Sequence, residues 1–299
     1  MPSGLPEGYG FAAKYPGDQG IEQDPAVVFA DDFEATKTGM MPSGYRKGDE
    51  KKWDDSWGRC IITDKAENVH SGKKALEMAV PRPGPKSTGA AVQRNLEEGF
   101  DTLFLRYYAK FGKDNDVFHG GAHNGGLIDA RPRGVPVGCA GVRADGSNKY
   151  CAMLDTYRPQ EKLPSPGPLV VYCYHMDQGG RWGDQFYPSG RVLPNGAELF
   201  GDEFVPRAEF IPEQGRWYCY ELMARANTPG KRDGRVAFWV DGTVRGDFPN
   251  LRLRSVETLK GNVINLNVHA GNFRVKRDIF MWFDDVVVAT AYIGPQLPA

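Results

Sequence analysis

The chain has 299 residues with 37 basic against 38 acidic side chains and a formal charge of -1, so it lacks the broad positive field that captures nucleic acid. No run of about 18 apolar residues is present to cross a membrane as a helix, and the first ten residues show no apolar signal region. Gly 37 and Pro 22 interrupt helices and demand frequent turns, and the length is ordinary for one large all-β sandwich.

Residues 1–26, dense in Gly, Pro and charge, read as an arm laid over a single domain that fills residues 27–299. From Val27 onward the apolar runs have strand length, at residues 74–80, 90–95, 102–111, 137–143, 150–156, 169–176, 217–226, 236–240, 263–268 and 279–288. Two of them alternate cleanly, which assigns faces because neighbouring side chains in a strand point to opposite sides. In residues 103–111 the odd positions are apolar, while Arg106, Tyr108 and Lys110 face the other way. In residues 263–269, Leu266 and Val268 point inward, and Asn265, Asn267 and His269 form a polar wall outside. Val240-Asp241-Gly242-Thr243 predicts a tight hairpin turn. Residues 157–168 and 177–215 are long loops rich in Pro, Gly and charge, of the kind that often carries function. They flank the 169–176 strand and place its exposed face beneath them.

Several segments look familiar together. They are Gln214-Gly215-Arg216-Trp217-Tyr218, Ala226-Asn227-Thr228, the hairpin from Asp233 through Trp239 to Gly242, and the closing Phe283-Asp284-Asp285-Val286-Val287-Val288. With the opening Phe29-Ala30-Asp31-Asp32-Phe33-Glu34 and Val69-His70-Ser71-Gly72, this order resembles jelly-roll polysaccharide lyases of the alginate and glucuronan lyase type, over roughly residues 27–290. The resemblance implies an all-β fold, a concanavalin A-like β-jelly-roll sandwich of two antiparallel sheets with long loops flanking a groove. It implies a uronic-acid polysaccharide as substrate, cleaved by β-elimination without an organic cofactor, in a secreted or periplasmic monomer whose signal peptide would precede this sequence. The motifs are structural, and Trp217 and Trp239 read as packing residues. Because the fold also serves binding modules and hydrolases, a noncatalytic carbohydrate-binding or lectin-like domain and a glycoside hydrolase remain the alternatives. The hydrolase would need a carboxylate pair about 5 Å apart, for which Asp155 and Glu221 are the strand candidates.

β-Elimination calls for donors that neutralise the substrate carboxylate, together with an acid and a base. The densest supply is His119-Gly120-Gly121-Ala122-His123-Asn124-Gly125-Gly126, followed by Asp129, Arg131 and Arg133. In this glycine-rich stretch His119 or His123 is the base or its partner, and Arg131, Asn124 or, from the later strand, Asn267 neutralises the carboxylate, although the family's own residues match the stretch only loosely; a surface loop with solvated histidines is the alternative. Its glycines argue against the helix on which two histidines would share zinc. Tyr172 and Tyr174 lie on one strand face as candidate acid, base or stacking surface, with His175 on the opposite face and Arg181 nearby. Asn265, Asn267 and His269, with Arg143 and Lys149 on neighbouring strands, form the expected sugar-binding wall, and Trp182 and Tyr187 are the candidate stacking rings. Asp31, Glu34 and Asp285 come from the two chain ends and suit a structural calcium ion. The five cysteines fit no CxxC or zinc spacing and read mainly as buried free thiols.

Overall fold

The computed structural model describes residues 4–47, 59–80, 88–116, 122–132, 140–160, 162–194, 198–270 and 277–298. Short 3-10 turns at Phe11–Lys14, Pro16–Asp18 and Ile21–Gln23 precede the first strand. The strands then follow as β1 (Val27–Asp31), β2 (Arg46–Lys47), β3 (Arg59–Thr63), β4 (Ala75–Val80), β5 (Thr88–Phe100), β6 (Thr102–Phe111), β7 (Ala122–Ala130) and β8 (Tyr150–Thr156). They continue as β9 (Leu169–Tyr174), β10 (Asp184–Phe186), β11 (Val192–Leu193), β12 (Trp217–Arg225), β13 (Gly234–Val240), β14 (Thr243–Leu251), β15 (Gly261–Ala270) and β16 (Ile279–Ala289).

These strands form two antiparallel sheets. The front sheet runs β11-β10-β9-β8-β7-β15-β5-β2; the back sheet runs β14-β13-β12-β6-β16-β4-β3, with β1 added beside β16. Neighbours far apart in sequence, such as β6 between β12 and β16, give the jelly-roll winding. The two sheets bury one apolar core between them, to which the front sheet gives Ala90, Val92, Ile128, Ala152, Leu154, Val171, Ile264 and Leu266. From the back sheet come Leu105, Tyr107, Ala109, Leu222, Phe238 and Phe283. Each is the inward member of an alternating strand, so the intervening residues define the outer faces.

The predicted hairpin is present: β13 and β14 join through Asp241 and Gly242 with φ of 48° and 75°, the positive angles a tight primed turn requires. Two expectations change. In the 137–143 run, residues 137–139 lie outside the described residues, and Gly141 and its neighbours form a turn. The 177–215 loop contains two short strands, β10 and β11, which extend the front sheet.

The outer face of the back sheet is polar in sequence yet buried, because both chain ends cover it. Arg106 is fully buried there and ion-pairs with Asp18 of the arm. Trp239 packs with Ala12, Ile21, Phe104 and Ile293, and its Nε1 donates to the Pro6 carbonyl at 2.7 Å. Trp239 therefore packs under the arm rather than between the sheets. Burial of a large apolar side chain contributes roughly 1.5–3 kcal/mol, so the arm is part of the stable fold. Glu221 anchors the other chain end by accepting backbone N–H bonds from Ile293 and Gly294, each at 2.8 Å.

Burial pushes the Glu221 carboxyl from the usual 4.5 up to about 7, against the opposing pull of those two N–H groups and of Arg106. The folded protein thus holds a proton between about 4.5 and about 7 that the unfolded chain releases, so this group's contribution to stability falls as pH rises through that window. The melting temperature of Glu221→Gln should therefore gain on that of the parent between pH 5 and pH 8, as measured in paired thermal melts. A difference that stays constant with pH contradicts the assignment.

Candidate active site on the outer face of the front sheet

The outer face of the front sheet gathers chemistry that the sequence scatters over five segments. β7 lies between β8 and β15, with His123 directly opposite His269 in the β15 register. β8 pairs Met153 with Tyr172 of β9, and β15 pairs Asn265 with Gln93 of β5. His123, Asp155, Tyr172, Tyr174, Asn265, Asn267, His269 and Gln93 all alternate with core residues and so share this one face.

At its centre, the His123 ring lies 4.8 Å from the Tyr172 ring and 5.8 Å from the His269 ring. His123 keeps a quarter of its side chain exposed, while its Nδ1 is 2.8 Å from Oδ2 of the fully buried Asp155. The other Asp155 oxygen accepts the backbone N–H groups of Asn124 at 2.9 Å and Thr156 at 2.8 Å.

The tyrosines form a second linked unit. The Tyr172 hydroxyl lies 3.3 Å from that of Tyr174, and each oxygen accepts a backbone N–H, from Gly183 at 3.0 Å and Gly141 at 3.2 Å respectively. The Lys149 ammonium sits 3.5 Å from the Tyr174 ring centre. Tyr174 is buried against Ala144 and Cys151, whereas Tyr172 is half-buried and faces His123. Burial, then the neighbouring Tyr174, push the Tyr172 phenol far above its usual range, so it keeps its proton at any physiological pH. Burial also raises Tyr174, against the bonds it accepts from Tyr172 and Gly141.

From Ala122 onward the glycine-rich segment is strand β7. Its glycines make room beneath the site: a Cβ on Gly126 would lie 2.4 Å from the Tyr107 ring, and one on Gly125 would lie 2.2 Å from the Leu154 carbonyl oxygen. Gly126 also donates its N–H to the Tyr107 hydroxyl at 2.9 Å. His119 and Arg133 lie outside the described residues.

Other predicted residues are placed elsewhere. Asn124 alternates with His123, so its side chain turns inward and accepts from the Thr156 hydroxyl at 2.9 Å. Arg131 lies eight positions along β7 from His123, roughly 26 Å at the usual rise, and ion-pairs with Asp129. It lines a cavity of about 330 Å³ with Ser147, Lys260 and Asn262, remote from the histidine. Arg143 lies in a loop and donates weakly to the Met176 carbonyl at 3.4 Å, away from the Asn265 wall. Tyr187 is fully buried beneath Arg191, which removes it as a sugar platform. Trp182 is half exposed with Arg181 over its ring, and it covers Gly141, the residue that donates to Tyr174. His175 faces inward as expected and meets Asp184 at 2.9 Å.

Asp155 and Glu221 stand on different sheets and face opposite sides of the molecule, so they cannot form the carboxylate pair of a glycoside hydrolase. The expected calcium ligands do not converge. Asp31 caps the Phe33 N–H, Glu34 takes the N–H groups of Lys73 and Lys74, and Asp285 holds His70 and Ser71. Among the described residues no three His, Cys, Asp or Glu side chains gather as a metal site. Cys60, Cys151, Cys173 and Cys219 are free thiols; Cys139 lies outside the described residues.

Sequence reasoning missed Gln93 and the supporting role of Asp155. Gln93 extends the amide wall onto β5, where its Nε2 donates to Asn95 at 2.8 Å. Its alternation with Ala90 and Val92 is a signal that could have found it.

No protein-family model and no curated protein matches the chain. Solved structures do. Alginate lyase Aly36B superposes with a TM-score of 0.59 at 18% identity, over 89% of this chain and 98% of that one. A marine PL-14 alginate lyase from Aplysia kurodai gives 0.54 at 17%, over 78% and 87%. The endo-β-1,4-glucuronan lyase from the fungus Trichoderma reesei gives 0.50 at 16%, over 85% and 96%. At such identities the likeness is one of fold, and the chain shares the jelly-roll sandwich of polysaccharide lyases.

Proposed function

We propose that this protein is a polysaccharide lyase that holds a uronic-acid polymer against the outer face of the front sheet and cleaves it by β-elimination. The observation that carries the reading is the contact of His123 with Tyr172, an imidazole open on one side beside a phenol that retains its proton. His123 removes the proton adjacent to the sugar carboxylate through Nε2. Tyr172 gives its proton to the departing glycosidic oxygen, which would otherwise leave as a strongly basic alkoxide, so the step calls for a phenol that still carries its proton. Charge developing on the substrate carboxyl meets donors from His269 and Asn265 on the adjoining strand, where Asn267 is buried and donates to the Gly125 carbonyl at 3.3 Å. Lys149 and the Gly141 and Gly183 N–H groups stabilise negative charge passing onto the tyrosine pair. Trp182 offers an exposed ring on which a sugar can stack. The polymers in the names of the structural neighbours, alginate and glucuronan, support a uronic-acid polymer as the substrate class.

No described helix is long and apolar enough to cross a membrane. A large polymeric substrate fits a secreted or periplasmic location. The test is a panel of uronic-acid polymers followed by ultraviolet absorbance of the unsaturated sugar. Absorbance that grows with time supports the lyase. Retardation in an affinity gel without absorbance indicates a binding domain, and new reducing ends without absorbance overturn the elimination chemistry.

A further inference from the structure

We propose that Asp155 is a positioning residue that fixes the tautomer of His123, and so decides which ring nitrogen faces the sugar. The inference rests on the reading of His123 as base, and it concerns a residue whose type suggested an entirely different role. Asp155 is fully buried; the backbone N–H groups of Asn124 and Thr156 donate to one oxygen, and the imidazole Nδ1 lies 2.8 Å from the other. A carboxylate oxygen accepts, so this contact places the His123 proton on Nδ1. The Nε2 lone pair then projects from the exposed part of the ring, where a base needs it.

The local backbone builds this arrangement. Gly125 approaches the Leu154 carbonyl too closely for any Cβ, which draws β7 against β8 where the carboxylate crosses from one strand to the other. Among the described residues His123 is the only side chain on Asp155 Oδ2, so the carboxylate acts on the chemistry through the imidazole alone.

Substitution of Asp155 by asparagine preserves the oxygen that accepts the two backbone N–H groups. It also turns an amide NH₂ toward His123 Nδ1, which forces the ring proton onto Nε2. Long-range nitrogen–proton NMR reads the tautomer directly, since the chain has five histidines and His123→Ala identifies the relevant signals. The expected result is Nδ1–H in the parent and Nε2–H in Asp155→Asn. Kinetically, kcat should fall by as much as about 10⁴-fold, the loss seen when the carboxylate that orients a catalytic histidine becomes an amide. KM should stay within about threefold, and the loss should vanish in a His123→Ala background. An Nε2–H tautomer in the parent, or an equal loss of kcat with and without His123, overturns the proposal. The parent tautomer is read without substrate, so a protein that forms no unsaturated product would defeat the lyase reading while still deciding this one.

Discussion

Replacing His123 with alanine is expected to lower formation of unsaturated product by about 10²–10⁴-fold while the protein remains folded. General base catalysis alone accounts for about 10²–10⁴ in rate, and His123 is the imidazole that lies against Tyr172 among the described residues. The ring lies on the outer face and contributes nothing to the core, so packing survives. The cost to stability comes from Asp155, whose Oδ2 loses its side-chain partner in a fully buried position. An unsatisfied buried acceptor costs about 1–3 kcal/mol, visible as a lowered melting point with an unchanged far-ultraviolet spectrum. Initial rates on a uronic polymer, paired with a thermal melt, check both halves. Activity within about tenfold of the parent would remove His123 from the chemistry.

The second large effect is expected at the tyrosine pair, where the two hydroxyls should not be equivalent. Tyr172 faces His123, whereas Tyr174 lies behind it, enclosed by Ala144, Cys151 and the Lys149 ammonium. Tyr172→Phe should therefore reduce kcat by about 10²–10⁴-fold with little change in KM, because it deletes the proton given to the leaving oxygen. Tyr174→Phe removes only the support of that phenol and should cost about tenfold, in line with the loss of one hydrogen bond of about 1–1.5 kcal/mol. Steady-state kinetics of the two variants decide the order. The reverse ranking would make Tyr174 the donor and Tyr172 its partner.

The sequence made the sandwich readable because its strands alternate. Leu103 to Phe111 and Val263 to His269 each declare an inside and an outside, and Asp241-Gly242 names its own turn. The same rule placed Asn265, Asn267 and His269 on one face and turned His175 away from the tyrosines. It was not applied to residues 122–126, where glycines hide the period by supplying no side chain to count. The sequence therefore groups Asn124 with His123, whereas the strand places the two on opposite sides. Arg131 and Tyr187 failed for another reason: nearness in sequence to a cluster says little about nearness in space when each strand residue advances about 3.3 Å. The pairing of Asp155 with His123 could not be read at all, because it depends on β7 and β8 being neighbours, and register between them is a property of the folded sheet. The burial of Arg106 under the arm was likewise invisible, since Asp18 lies in a segment without periodicity.

The most direct test of β-elimination at this site is the mass of the products released from a defined uronic oligomer. Elimination breaks the bond without adding water, so the product with the new non-reducing end should carry a double bond and be one water lighter than the matching hydrolysis product. His123→Ala should release no such product. Products that are all saturated, with one water added for each bond cleaved, would mean that water is the nucleophile, and would contradict the assignment of His123 and Tyr172 as the base and acid of a lyase.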